Sequence, residues 1–415
     1  MCGMHPNLLI AAGLILFLPN PSATAAPSID KSLDGGKLAE AEQLLANHLQ
    51  IEAEDDLARF QLGTVRLLRA VERLAQDGSR HGTLSNALGL PFIRVGGFGA
   101  PEGEPEQVQY EDIRTAIARF QTSVAAVEAT LAPIDATDLF WSLDLGKVAL
   151  DLNGNNRIGK GERLDELMRL AMRGRRRNEE NGALVIGLDS ADAFWLRGYC
   201  HVLMSLADMT LAYDHQRMFD LTAHLFFANP DTKFSRERDE DRKTGSRGMW
   251  GGWESLPDLI AAIHLIDFKL REPRRLTDAR DHLLEMVKMS RANWKLVLLE
   301  TDNRNELIPN TQQDSIIPSM AVDEARLDAW QRFLDEGEAI LNGEKLLPFW
   351  RSGFSKGVNL GRVFTEPRDV DLILWVQGTA ALPYLEAGQQ TDPAMWREFQ
   401  RLFRGNFLGF AFWVN

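Results

Sequence analysis

The chain has 415 residues, a formal net charge of −13 and a sequence pI near 5.2. A surface this acidic repels phosphate backbones and anionic lipid, so no nucleic-acid partner and no membrane-surface role is expected, whereas divalent cations remain compatible. Cysteine occurs only as Cys2 and Cys200, and an internal disulfide framework is excluded once an N-terminal leader is removed.

The first 25 residues read as that leader. Leu8 to Leu18 is an uninterrupted apolar run, too short for a stable bilayer anchor. Pro19 and Pro21 follow, then Ala23-Thr24-Ala25, a small-x-small signal that predicts processing after Ala25. The region before the apolar run offers His5 and the terminal amine but no Lys or Arg, which keeps a membrane-anchored form as the lesser alternative. Cys2 precedes the apolar core, so lipoprotein processing is not indicated. An acidic, disulfide-free mature chain fits a bacterial periplasmic or secreted destination.

A 3.6-residue apolar period dominates the chain beyond the leader. Residues 26–93 predict an N-terminal helical hairpin, with Leu44, Leu45 and Leu49 leading to Leu57, Phe60, Val65, Leu68, Val71 and Leu74. Ala58, Phe60 and the Leu62-Gly63 pair resemble a single tetratricopeptide unit, but one unit is not a solenoid. Residues 94–107, with Gly97, Gly99, Pro101, Gly103 and Pro105, predict a loop or hinge, and 108–415 a main helical domain. Within it, helices are expected at Tyr110–Leu131, from Asp189 or Ser190 as N-cap to Met209, and at 216–227, 255–270, 276–299, 323–341, 369–386 and 393–404. Strand-like stretches are few: Phe92 to Val95 and the approach to Asp151. The fold class is mostly α, a bundle of helical hairpins with little β.

Chemistry concentrates in Asp151-Leu152-Asn153-Gly154-Asn155-Asn156-Arg157-Ile158-Gly159-Lys160-Gly161-Glu162. Side-chain oxygens stand at positions 1, 3, 5 and 12 of the run, and an apolar residue stands at position 8. This spacing resembles the calcium loop of the EF-hand family, over about 25 residues of the chain including the helical stripe Leu164, Leu167, Met168, Ala171 and Met172 behind it. The resemblance implies one Ca²⁺ held by Asp151, Asn153 and Asn155 through side-chain oxygens, by Arg157 through its main-chain carbonyl, by a water near Gly159, and by both oxygens of Glu162. Ile158 would anchor the loop. Two departures stand out. Asn156 occupies position 6, where glycine normally supplies a positive φ, and Asn is the next most tolerant residue there. Leu143 to Leu150 follow no helical stripe, so the entering segment is expected to be extended.

Other features weigh less. His201, Asp208, His215, Asp220 and His224 fall on two neighbouring predicted helices, where convergence as a second metal or acid/base site competes with ordinary helix hydrogen bonding. Gly353-Phe354-Ser355-Lys356-Gly357 carries a nucleophile-elbow pattern without the strand before it or helix after it, and 358–367 reads as loop. Cys200 reads as a buried inert thiol. Gly96-Gly97-Phe98-Gly99 lacks a Lys-Ser/Thr, so no nucleotide cofactor is expected. Arg173, Arg175, Arg176 and Arg177 read as a solvated helix end. Ten tryptophans are many for this length. Trp250 and Trp253 stand beside Glu254, which, with Asp258, offers a carbohydrate platform; the plainer and favoured reading has these two indoles plugging a loop onto the core, with Trp195, Trp294, Trp330, Trp375 and Trp396 as core residues. The first functional reading is therefore an exported calcium-binding protein with a protein- or glycan-binding or scaffolding role and no catalysis of its own. The alternative is a periplasmic enzyme acting on polysaccharide or peptidoglycan.

Overall fold

The computed structural model describes residues 26–83, 103–171, 184–233, 260–261, 263–314, 322–351 and 355–402. The architecture is mostly helical with short strands, as the periodicity requires. Helix α1 (Asp30–Asp34) and α2 (Leu38–Leu49) lead into α3 (Asp56–Arg80), whose N-cap Asp55 accepts a hydrogen bond from the Ala58 amide at 2.9 Å. Helix α4 (Tyr110–Leu131) begins with a capping box between Gln109 and Asp112. The antiparallel pair β1 (Phe140–Asp144) and β2 (Val185–Asp189) brackets the 151–162 segment and α5 (Leu164–Ala171). Helix α6 (Ser190–Leu211) follows β2 without a break, because the Asp189 side chain accepts from the Ala191 and Asp192 amides and the Asp192 carboxylate accepts from the Asp189 amide.

Two long helices, α6 and α8 (Arg274–Val297), run antiparallel, with Asp208 beside Arg275 near one end and His201 beside His282 midway. Helix α4 packs on α6 and on α3, and α9 (Glu324–Leu341) packs on α8. One apolar core runs through these elements from Ile29 and Leu45 through Phe60, Val124, Leu131 and Met204 to Trp294, Trp330 and Phe399. Trp294 and Trp330 are among its largest fully buried side chains, and Trp396 packs edge-on to Phe333 and Phe399, in line with their reading as core. Among the described residues, no helix is long and apolar enough to cross a membrane.

Three expectations need correction. The helix expected over 255–270 stops short, because Asp267–Leu270 forms a strand between Tyr213–Asp214 and Val370–Asp371. Its polar-apolar alternation (Asp-Phe-Lys-Leu) has strand period, not helix period. The helix expected over 369–386 is broken into Leu372–Gln377 and a 3-10 segment Thr379–Tyr384. Gly378 sits at φ +105° between them, and Pro383, which has no amide to donate, falls inside the second piece. The loop expected over 358–367 contains a short helix, Leu360–Thr365, whose N-cap Asn359 accepts from the Arg362 amide at 3.0 Å. Residues 1–25, Phe92 to Val95, Gly96 to Gly99, Arg173 to Arg177, Trp250, Trp253, Glu254 and Asp258 lie outside the described residues.

Close approach of α3 and α4 depends on Gly63. A Cβ built there overlaps the side chain of Leu131, which is fully buried and would have to shift within the packed core. Gly63→Ala is therefore expected to destabilise the fold by about 1–3 kcal/mol through overpacking, despite alanine's better helix propensity. Urea unfolding of the two proteins measures it, and an unchanged or raised midpoint would contradict this packing.

Candidate functional site

The 151–162 segment closes on itself. Its flanks form a short antiparallel bridge, with the Leu150 amide donating to the Glu162 carbonyl at 2.8 Å and the Leu164 amide to the Val148 carbonyl at 2.8 Å. Inside it the polar side chains fold inward onto the backbone. Asp151 Oδ1 accepts from the amides of Gly154 (2.8 Å) and Asn155 (3.0 Å), and Oδ2 accepts from Asn156 (2.8 Å). Asn153 Oδ1 accepts from the Asn155 amide at 3.0 Å, and Asn155 Oδ1 from the Arg157 amide at 2.8 Å. Glu162 reaches back across the loop: Oε1 accepts from the Leu152 amide at 3.0 Å and Oε2 from the Gly159 amide at 2.6 Å. Asn156 adopts φ +59°, the left-handed turn its position demands, with Gly154 and Gly161 also at positive φ. Arg157 is exposed, its side chain taking no part in the loop's hydrogen bonds. The entering segment is extended apart from a 3-10 turn at Leu145–Lys147, and the leaving one is helix α5.

Neighbouring elements fix the loop in place. The Asp151 amide donates to Glu72 Oε1 at 2.9 Å, and Gln76 Nε2 donates to the Asp151 carbonyl at 2.7 Å, tying position 1 to α3. Ile158 packs over Gly36, which sits at φ +66° in the α1–α2 turn. A side chain at residue 36 would collide with Ile158. Arg163 Nη1 bridges Asp34 (2.9 Å) and the Gly146 carbonyl (2.7 Å), and the Ala149 amide donates to the Leu33 carbonyl at 3.0 Å. Asp151 and Glu162 are both buried.

The histidines sort differently from the sequence expectation. His201 and Asp208 do share a network, but their partner is His282 on α8, which sequence spacing gave no reason to include. His215 stands at the N-cap of α7 (Gln216–Phe226), donates its amide to the Tyr110 hydroxyl at 2.7 Å and packs on Phe268. Burial holds its imidazole below the ordinary histidine range. Asp220 is exposed and accepts from Gln216 at 2.6 Å, and His224 lies one turn further along α7. A cavity of about 170 Å³ beside α7, lined by Ile113, Met218, Phe219 and Phe227, is almost wholly apolar at its surface. Cys200 is buried and its thiol is pushed well up by that burial, which suits an inert core residue. Ser355 is exposed and precedes the strand Gly357–Val358, the reverse of an elbow's order.

A second acidic group was not legible in the sequence. Asp189, Glu300 and Glu306 each place a carboxylate oxygen within 4.8 Å of the others, and Asp192 lies against Asp189. Asp189 had a sufficient role as a cap, and Glu300 and Glu306 fall in a polar loop that docks on β2, where the Gly187 amide donates to the Asn305 carbonyl at 3.0 Å. Asn305 at φ +65° turns this loop, and Glu306 accepts from the Arg304 amide at 2.7 Å. Like charges this close must take up positive charge, as protons or as a cation. Burial, then the charge of Asp189, pushes Glu300 up to about 8, and burial pushes Asp192 well above the carboxylate range. A carboxyl raised in the folded state binds a proton that the unfolded chain releases. Its contribution is full below the ordinary 4.5 and is lost as pH rises through about 8. In chelator, Glu300→Gln should therefore melt higher than the wild type at about pH 9 and show a flatter pH profile above pH 5. Parallel profiles for the two proteins would show that Glu300 is ionised at neutral pH.

No family model, no curated protein and no solved structure matches this chain.

Proposed function

We propose that residues 151–162 bind one calcium ion, and that this ion serves as a structural clip in an exported protein with a binding or scaffolding role. Asp151, Asn153 and Asn155 would supply side-chain oxygens, Arg157 its carbonyl, and Glu162 two carboxylate oxygens, with a water near Gly159 completing a shell at roughly 2.3–2.6 Å. The observation that carries the proposal is the inward set of Asp151, Asn153, Asn155 and Glu162. Each already accepts loop amides, so the oxygens are held in place before any ion arrives. Pre-ordering of this kind lowers the entropy that binding must overcome.

Two carboxylates, Asp151 and Glu162, offset a single divalent charge. With so few charged ligands the affinity belongs to the weak extracellular range, roughly 10⁻⁴–10⁻³ M. A protein exported to a calcium-containing medium meets such concentrations. Weak, steady occupancy suits a clip better than a switch. The clip would fasten the elements that the loop touches: the α1–α2 turn through Gly36, α3 through Glu72 and Gln76, and α5 behind Glu162. A partner of the whole protein would be a protein or a glycan.

Occupancy at about ten times Kd should stabilise the fold by about 1.4 kcal/mol, a rise in Tm of about 1–2 °C over chelated protein for a chain of this length. Glu162→Gln is expected to weaken binding at least about tenfold by removing one of two ligand charges, and to lower Tm only when calcium is present. Differential scanning calorimetry with calcium and with chelator tests this, and a wild-type Tm indifferent to chelation rejects the clip. Asn156→Gly relieves the left-handed turn, so titration calorimetry should return equal or tighter binding. Looser binding in that variant would mean the asparagine side chain contributes more than its backbone conformation costs.

A further inference from the structure

Between α4, α6 and α8 lies a polar arrangement that neither the fold nor the calcium loop explains. His201 Nδ1 and His282 Nδ1 face each other at 3.0 Å. Each ring turns its other nitrogen to a carboxylate: His201 Nε2 lies 3.9 Å from Glu128 Oε1, and His282 Nε2 lies 3.8 Å from Asp208 Oδ2. Both carboxylates are themselves held by arginine. Arg197 donates to Glu128 Oε1 through Nε (3.0 Å) and Nη2 (2.8 Å), and Arg275 Nη1 donates to Asp208 Oδ1 at 2.8 Å. His201 and Asp208 are buried, whereas His282 keeps about a quarter of its side chain in solvent, leaving a path of entry.

A neutral imidazole has one N–H and one lone pair. If both rings carry the proton on Nε2, towards the carboxylates, two Nδ1 lone pairs oppose each other at 3.0 Å. With the rings in opposite tautomers one Nδ1–H donates to the other Nδ1, and the Nε2–carboxylate separations of 3.9 and 3.8 Å are longer than hydrogen bonds, so the neutral pair is satisfied by that one bond. A cation between the Nδ1 atoms replaces this shared proton and leaves an N–H on each Nε2, turned towards Glu128 and Asp208. Two nitrogens bound at 2.0–2.1 Å to a tetrahedral zinc stand about 3.3 Å apart, so the rings need to part by only about 0.3 Å. Metal-bound histidines commonly give their remaining N–H to a carboxylate, the role open to Glu128 and Asp208.

We propose that His201 and His282 bind a borderline d-block divalent cation of the zinc class through their Nδ1 atoms, with Glu128 and Asp208 as positioning residues and water filling the other coordination sites. Burial holds the His201 imidazole below its ordinary range, with the His282 charge adding to this and Glu128 opposing it, so the ring is available as a neutral ligand. Calcium, an oxygen-seeking ion, does not compete for two imidazoles. Glu285 adds a negative charge facing His201, and Arg197 an opposing positive one.

The test uses the mature protein stripped with chelator, then held in excess calcium and titrated with zinc by calorimetry and with cobalt by absorption. One equivalent is expected to bind at sub-millimolar concentration, with the visible band of nitrogen-ligated cobalt. His282→Ala should lower the affinity at least about tenfold, and Asp208→Asn by about 10–100-fold. His282→Gln, which keeps the side chain's bulk, guards against a packing defect. Circular dichroism of all variants in calcium should match the wild type. Absence of binding at millimolar zinc, binding undiminished in both His282 variants, or a proton still bridging the two Nδ1 atoms in nitrogen-detected NMR at saturating zinc would overturn the proposal.

Discussion

The structure is organised by the antiparallel contact of α6 and α8, along which charged and polar groups are buried between apolar ones. Burying such a group costs several kcal/mol unless it finds a partner, so each must be placed against its complement. Two levels of this contact do so in register, Asp208 meeting Arg275 near one end and His201 meeting His282 midway, while at the other end the like-charged Asp189–Glu300 group requires a proton or cation. A shift of either helix by one turn would separate both pairs together. Apolar packing supplies the bulk of the stabilisation, through Trp294, Met204 and Val287, but it tolerates small slips, whereas the polar pairs do not.

The helices that flank this contact inherit their positions from it. α4 lies on α6 and brings Glu128 to Arg197, while Arg114 of the same helix donates to the Leu211 carbonyl at 2.9 Å and to Glu272 at 2.6 Å. α3 then lies on α4, as close as Gly63 allows. The 151–162 loop is the outermost layer, tied to α3 by Glu72 and Gln76 and to the α1–α2 turn by Ile158.

How much of this could be read from residues alone depended on the range of the interaction. Local grammar was legible: Tyr110–Leu131 as one helix, Asp189 as a cap, Asn156 in a left-handed turn. The side-chain-to-amide hydrogen bonds inside the 151–162 segment are local too, each spanning at most ten residues. Contacts across long separations were not. His282 stands 81 residues from His201, and nothing in its spacing marks it. Glu300 and Glu306 were invisible for the same reason, since a polar loop gives no sign of what it docks against. Where local reading failed, at Asp267–Leu270 and Leu360–Thr365, the pattern was present but short, and a longer helical expectation or a loop expectation overrode it.

Helix α3 links the loop to the centre by a continuous packed path. Its 25 residues carry Glu72 and Gln76 at one end and, three turns earlier, Gly63 against Leu131 of α4, the helix that presents Glu128. A long helix held at both ends is stiff, so an ion bound in the loop as proposed would also restrain the angle at which α3 leans on α4. Adjacency of this kind is necessary for communication between the loop and the histidine pair but not sufficient, because coupling requires an element with two arrangements that both sites bias. The structure shows one arrangement of α3, capped at Asp55 and packed through Gly63 against Leu131. If both proposed sites fill, additivity is the physical expectation: the free energy of filling both would equal the sum of filling each alone.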